Sequence, residues 1–297
     1  MVEKGCPVCL EPATNTTVFK QGNFDADKLD VFSFSSRKFP EYMSHRYLKC
    51  NRCQALYASP VPVFDELQEQ YNEADFDSKK ESEFAAQTYI SILKRYKKRL
   101  PSLDCGLDIG ASDGAFVEKL VGEGFTNVIG VEPSRKPVES AKSSIRPLLR
   151  HDIFRREHYR DDSMSLVTCF QTIEHVPDPI AIAKDVYKIL KPGGVFYLVS
   201  HDYSSRVNRL LGEKSPIYDI EHLQIYCAEA FRCLLADVGF TTVETRPVWN
   251  TYPLSYWLRL APLPQKLKQK LIAWVKDGPV DIPVPVCVGN MAVLAWK

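Results

Sequence analysis

Leu107-Asp-Ile-Gly-Ala-Ser-Asp-Gly-Ala-Phe116, followed by Val128-Ile-Gly-Val-Glu-Pro133, decides the fold of this 297-residue chain. Each segment opens on a short apolar run that a small residue or proline then breaks, the pattern of a strand buried on both faces. In the first, Gly110, Ser112 and Gly114 form a turn whose small residues let backbone N–H groups approach a ligand closely. Similar apolar runs at 106–109, 127–131, 166–170 and 195–200 alternate with longer amphipathic stretches. That alternation predicts a parallel sheet with crossover helices, an α/β fold of Rossmann-like type. A helix over 228–238 closed by Gly239, a strand at 241–247 and a last strand at 286–295 complete it.

Outside this sheet the chain divides by pattern. Residues 1–62 are rich in Cys, Phe and Tyr, lack helical periodicity and end in Ala58-Ser-Pro-Val-Pro62, which reads as an extended linker. Residues 63–102 carry two accessory helical patterns, over 64–73 and 81–100, the second stopped by Pro101. The main domain, 103–297, contains an insertion at 250–285 dense in Pro, Tyr, Trp and Lys, too long for a hairpin turn. Within it, Tyr252-Pro-Leu-Ser-Tyr-Trp257 and the stretch 264–276 read equally well as a lid or as a surface helix packed on the sheet.

The composition, 45% hydrophobic and 25% charged, is that of an ordinary globular protein. A net charge of +1 supplies no general attraction for nucleic acid. The basic run Lys94-Arg-Tyr-Lys-Lys-Arg99 falls at the end of a helical pattern and reads as a solvated helix end. The N-terminus lacks a signal-peptide pattern and no apolar run approaches the ~20 residues of a membrane helix, so a cytoplasmic location is expected.

In a reducing compartment, nine cysteines favour metal ligation over disulfides. Cys6-Pro-Val-Cys9 and Cys50-Asn-Arg-Cys53 form two Cys-x-x-Cys knuckles, and four thiolates close the coordination shell of a structural zinc ion. Cys105, Cys169, Cys227, Cys233 and Cys287 lack such spacing and read as small core residues.

A dinucleotide fingerprint would need glycines at 110, 112 and 115, where this chain has Ser112 and Ala115. Asp108 and Asp113 flank the turn and would repel a pyrophosphate; they suit a ligand carrying an ammonium and a sulfonium. Glu132 closes the second strand, where a carboxylate can accept hydrogen bonds from ribose hydroxyls. Together with His151-Asp-Ile153, the stretch from Asp162 to Glu174-His-Val-Pro-Asp-Pro179, and Leu190-Lys-Pro-Gly-Gly194, these segments resemble the successive motifs of class I S-adenosylmethionine-dependent methyltransferases over 103–247.

The resemblance implies a mostly parallel sheet with one antiparallel strand, and S-adenosylmethionine as cofactor. By it, Asp108, Gly110 and Gly114 hold the methionine part, Glu132 the ribose, and Asp152 with Ile153 the adenine. Gln171 and Thr172 face the methyl group, while Ala111 and Pro133 belong to the binding motifs. Ser112 stands where the family usually has glycine, which a turn with negative φ would accommodate. Tyr47-Leu-Lys-Cys-Asn-Arg-Cys-Gln-Ala-Leu-Tyr-Ala-Ser-Pro60, then Glu66-Leu and Tyr71, are similar to bacterial methyltransferases with an N-terminal zinc-binding unit, many of which act on sugars or other small molecules.

Acceptor activation needs a group that takes a proton, and His is the usual side chain. Glu174-His175, His201-Asp202 and Glu221-His222 all follow sheet strands or precede the next helix. His222 is the preferred base, because Ile217-Tyr-Asp-Ile-Glu-His-Leu-Gln-Ile-Tyr226 is similar to the active-site segment of zinc-containing sugar C-methyltransferases; that likeness also singles out Tyr218 and Glu221. The expected activity is methyl transfer to a small molecule, a nucleotide sugar or saccharide precursor, on oxygen or carbon. RNA or protein methylation and a non-catalytic role holding cofactor and zinc are the alternatives.

Overall fold

The computed structural model describes residues 4–23, 43–61, 79–260, 264–276 and 281–297. The helix expected over 64–73, and with it Glu66 and Tyr71, lies outside them. Three short strands open the chain: β1 (Thr16–Lys20), β2 (Tyr47–Cys50) and β3 (Leu56–Ala58). Helix α1 (Lys79–Leu93) leads into β4 (Cys105–Ile109), α2 (Ala115–Gly122), β5 (Asn127–Glu132), α3 (Arg135–Ser140), β6 (Leu149–His151) and β7 (Met164–Phe170). Then follow α4 (Pro179–Ile189), β8 (Leu190–His201), α5 (Arg206–Leu211), β9 (Gln224–Ile225) and α6 (Ala228–Val238). The chain closes with β10 (Thr242–Pro253), α7 (Leu254–Leu260), α8 (Gln265–Lys276) and β11 (Pro283–Trp296).

Seven strands form the main sheet in the order β10-β11-β8-β7-β4-β5-β6. The five strands from β8 to β6 are parallel, and β11 runs against both β8 and β10. The sheet is the mostly parallel α/β architecture expected, with one reversed strand. From β4 the chain winds outward through β5 and β6, then returns to β7 on the other side. The strand order therefore reverses between β4 and β7, the point at whose carboxyl ends open α/β sheets bind their ligands. Side chains alternate along the central strands, with Leu107, Val167, Phe196 and Leu198 packing into one core layer and Leu166, Val195, Tyr197 and Val199 into the other.

A second sheet has the order β1-β2-β3-β9. Its last strand is supplied by the segment just before α6: Leu56 pairs with Ile225 and Tyr57 with Gln224. The layer beneath is continuous, running from the buried cysteines of the N-terminal segment to Phe231 and Leu235 of α6.

The structure departs from the sequence reading in several places. Helix α1 stops at Leu93 rather than near Pro101, and 97–99 form a single 3-10 turn. The basic run meets other elements: Lys94 and Lys97 both reach Glu123, Arg99 meets Glu244 at 2.7 Å, and the Arg99 guanidinium lies 3.9 Å from the Trp296 ring centre. Lys94, Arg95, Lys98 and Arg99 remain exposed, as expected of a solvated helix end, and the ion pairs to Glu123 and Glu244 are added to that. The last two strands are longer than expected because they pair from Thr242↔Trp296 to Pro253↔Pro283, taking in both ends of 250–285. The segment 254–257 packs inward, with Tyr252 stacked on Tyr256 at 4.3 Å and Trp257 Nε1–H donating to Val284 O. Of the five unpaired cysteines, Cys169 and Cys227 are buried; Cys105, Cys233 and Cys287 are half-buried.

Candidate active site

At the carboxyl end of β4 the Asp108 carboxylate is 2% exposed and accepts the Thr168 hydroxyl at 2.6 Å. Burial pushes its pKa up to about 7, against the Thr168 hydrogen bond. The chain then turns back on β5, with Gly110 and Ala111 N–H both donating to Val131 O. Gly110 has φ +76°, and a Cβ there would stand 2.2 Å from the Thr172 hydroxyl, so Thr172 is seated directly on the glycine backbone. Gly114, also at φ +76°, leaves equally little room, since a Cβ would meet Ile145 at 2.6 Å.

Ser112 does not have the negative φ expected of it. It sits at φ +50°, in the left-handed region that costs a residue with a Cβ about 1–2 kcal/mol. The turn is held by Glu132, whose Oε2 accepts the Ser112 N–H at 2.9 Å while Oε1 accepts that of Ser134 at 2.8 Å. Burial raises the Glu132 pKa and these two N–H groups oppose the rise. The Ser134 side chain adds a further hydrogen bond to this carboxylate. Beside it, Pro133 O accepts from His151 Nε2.

After β6, Asp152 Oδ1 accepts the Ile153 N–H at 2.8 Å, which holds its pKa below the ordinary carboxylate range. Ile153 is 40% exposed, an apolar surface beside a carboxylate. On the far side of β4, Gln171 lies at φ +49° with its N–H on Val199 O, and the Thr172 hydroxyl donates to Phe170 O. Helix α1 reaches the same edge: the Ser82 hydroxyl meets the Asp113 carboxylate at 3.0 Å, and Tyr89 packs on Phe170. The sequence reading assigned no role to Ser82 or Tyr89.

The three candidate histidines converge. His222 lies with its ring centre 4.8 Å from that of His175 and 5.0 Å from that of His201. Asp219, unremarked in the sequence, stands beneath: its Oδ1 accepts the N–H groups of Glu221 and His222 and lies 2.8 Å from His222 Nδ1. Burial alone would lower the His222 pKa, but the charge of Asp219, aided by Glu174 and Glu221, outweighs it and raises the value to about 9. Burial followed by the His222 charge pushes His175 down to about 4 and His201 to about 3. The Asp219 charge thus favours the protonated form of His222, while burial favours the neutral forms of His175 and His201. His175 Nδ1–H donates to Glu221 O.

The loop carrying Asp219 and His222 is gripped by the small sheet. His45 Nε2–H donates to Ile220 O, and the Tyr47 hydroxyl is shared between Asp219 O and His222 O at 2.9 and 2.8 Å. Tyr218, on the same loop, lines a cavity of about 770 Å³ together with Phe19, Lys49, Tyr203 and Arg209.

Cys6, Cys9, Cys50 and Cys53 are all buried, and their sulfurs lie within 4.8 Å of one another. Cys6 faces Cys53 and Cys9 faces Cys50 at 3.5 Å, close to the roughly 3.8 Å edge of a tetrahedron with ~2.3 Å metal–sulfur bonds. Both knuckles end on a residue at positive φ, Leu10 and Gln54, so the two halves share one backbone shape. The donor set, its burial and its spacing fit a zinc ion.

A mostly parallel sheet with a glycine turn and buried Asp108 at its reversal point, and buried Glu132 closing the next strand, is the arrangement expected of the methyltransferase class. Residues 82–245 match the family described as a methyltransferase domain, and the chain belongs to that family. It is an S-adenosylmethionine-dependent methyltransferase. Among curated relatives, the ubiquinone biosynthesis O-methyltransferase of Vibrio atlanticus is 25% identical over 167 residues, 50% of this chain and 70% of that protein. The Psychrobacter arcticus protein of the same name is 30% identical over 51% of this chain and 65% of its own length. In three Vibrio cholerae relatives the match spans 42% of the protein. Among solved structures, the Haloferax volcanii complex of a methyltransferase with the Trm112 activator has TM-score 0.50 at 16% identity, covering 78% of this chain and 95% of that one, a likeness of fold.

Proposed function

We propose that the chain methylates a hydroxyl oxygen of a small molecule that carries an anionic group, of which a nucleotide sugar or saccharide precursor is an example. The observation that carries this reading is the meeting, at one sheet edge, of the Asp108–Gly110–Glu132 cradle with the histidine cluster at Glu174, His201 and His222. The names of the relatives, all O-methyltransferases, support oxygen as the acceptor atom. The cavity at Tyr218 brings the rings of Phe19, Tyr203 and Tyr218 together with Lys49, Arg209 and Arg232, beside Glu229, a lining that suits a ring and a phosphate or carboxylate.

In this reading Asp108 holds the cofactor ammonium, Glu132 the two ribose hydroxyls, and Asp152 the adenine amino group, with Ile153 against the base. Gly110, Ala111 and Gly114 offer backbone too close for any larger residue, and Gln171 and Thr172 flank the methyl. The cofactor supplies an electrophilic methyl whose leaving thioether needs no proton, so the protein's task is to align the acceptor oxygen and remove its proton. Asp219 favours the protonated form of His222 in the free protein. The lone pairs that face the acceptor belong to His201 and Glu174. The four cysteines hold a structural zinc that fixes the small sheet, and through Tyr47 the backbone of the His222 loop.

Calorimetry with S-adenosylhomocysteine tests the cofactor half; no heat and no thermal shift would sink the reading. Incubation with methyl-labelled cofactor and a small-molecule extract tests the acceptor half. Label in a phosphorylated or carboxylated hydroxy compound is expected; label only in protein or RNA overturns it.

A further inference from the structure

Glu174, His201 and His222 each offer a donor atom within 4.8 Å of the other two, a grouping separate from the four cysteines. Glu174 is fully buried; its Oε1 accepts from Ser200 Oγ and His201 N, while Oε2 has no hydrogen-bond partner. A buried carboxylate oxygen left without a partner is costly and calls for an occupant. The two histidines are oriented from behind. Asn290 Nδ2 donates to Asn250 Oδ1, which fixes its Oδ1 as the acceptor for His201 Nδ1–H at 2.9 Å and leaves the lone pair on His201 Nε2. Asp219 Oδ1 lies 2.8 Å from His222 Nδ1, a charge contact outside hydrogen-bond geometry. His201, whose Nδ1 is held by a side-chain oxygen while Nε2 keeps its lone pair, has the usual arrangement of a metal ligand.

We propose that Glu174, His201 and His222 bind a divalent transition-metal ion, distinct from the cysteine-bound zinc, to which the acceptor oxygen is ligated. Two imidazoles and one carboxylate suit Mn²⁺, Fe²⁺ or Zn²⁺ better than Ca²⁺ or Mg²⁺, and three protein donors leave open positions for substrate oxygens. Cation binding displaces the proton of His222, because only neutral imidazole ligates. An acceptor hydroxyl on the ion loses its proton to water at a much lower pH. The O–C bond then forms as the S–C bond breaks, and sulfur keeps the electron pair. An acceptor with two adjacent oxygens, a vicinal diol or a catechol, would occupy two of the open positions. The assignment of the acceptor rests on the methyltransferase reading; the binding of the ion does not.

Mn²⁺ is the probe, since thiolate sites prefer softer ions. Zinc-loaded full-length protein is titrated with Mn²⁺ and the free ion is followed by electron paramagnetic resonance. One Mn²⁺ per chain is expected, with Kd raised at least about tenfold in Glu174→Gln and His201→Ala, and about tenfold in Asn290→Ala, which removes only the group behind His201. Circular dichroism and S-adenosylhomocysteine binding verify that each variant is folded. No Mn²⁺ bound by the wild type, or equal binding by all the variants, overturns the proposal. Retained S-adenosylhomocysteine binding in that case would leave the methyltransferase reading standing, so the two failures are distinguishable.

Discussion

The two halves of the proposed site are made in different ways. The cofactor half is local: Asp108, Gly110, Ser112 and Gly114 lie in one turn, and Glu132 reaches back to that turn through backbone N–H groups. The acceptor half is assembled from distant segments: Tyr47, Glu174, His201, the 219–222 loop and Asn290 meet only because two sheets bring them together. A local site is secured by backbone geometry and tolerates damage elsewhere. A dispersed one depends on every element that delivers a residue to it.

That contrast predicts a separation of effects, greatest where the small sheet is lost. Cys50→Ser, or zinc stripped by a strong chelator, should unfold the four-stranded sheet, since structural zinc contributes on the order of 10 kcal/mol to a small fold. Methyl transfer should vanish while S-adenosylhomocysteine affinity stays within about threefold; an equal loss of both would break the comparison. Next in size is Gly110→Ala, which places a Cβ 2.2 Å from the Thr172 hydroxyl on a backbone at φ +76°. Cofactor affinity measured by calorimetry should fall by about 100-fold, corresponding to 2–3 kcal/mol of strain, with the Mn²⁺ titration unchanged.

Asp219→Asn removes the charge that offsets the burial of His222. Its pKa, followed by NMR in metal-free protein, should fall from about 9 to below the 6.5 of a free imidazole. Turnover should drop with little change in cofactor affinity; an unchanged His222 titration would mean that Asp219 is not its partner. The last effect is a pH dependence carried by Asp108 in the cofactor half. Asp108 has its folded pKa raised to about 7, so this group favours the folded apo-protein most below its unfolded value and costs stability as pH rises through that window, in total about 4 kcal/mol. A cofactor ammonium requires the carboxylate. Affinity should therefore rise by up to about tenfold per pH unit below 7 and level off above it, and Asp108→Asn should flatten the slope.

The same contrast explains what could be read from the chain. The glycine turn, Glu132 and the helix 228–238 with its Gly239 cap are written in neighbouring residues, so pattern alone locates them. Ser112 was legible as a departure, but its left-handed φ follows from the grip of Glu132, which spacing does not reveal. The basic run after Leu93 patterned as helix, yet helix α1 stops at Leu93 and the run meets Glu123, Glu244 and Trp296, residues that no local pattern places beside it. The histidines were visible as residues and their protonation was not, because it depends on Asp219 and on burial. Asn290, with nothing in its neighbourhood to mark it, acquires a role only through His201. The two-residue strand β9 escaped notice because its pairing with β3 joins segments far apart in the chain that no local pattern connects.

That pairing sets an order of events in the making of the protein. Tyr47 and His222 are 175 residues apart in the chain. At ribosomal speeds of about 5–20 residues per second, the cysteine knuckles emerge roughly 10–35 s before the strand that completes their sheet. The nascent N-terminal segment must wait with β3 as an open edge, the situation in which strands recruit wrong partners. Metal captured early by four cysteines would keep that edge short and fixed until its proper neighbour arrives, making the knuckles a guard on the nascent chain as well as a brace in the finished one.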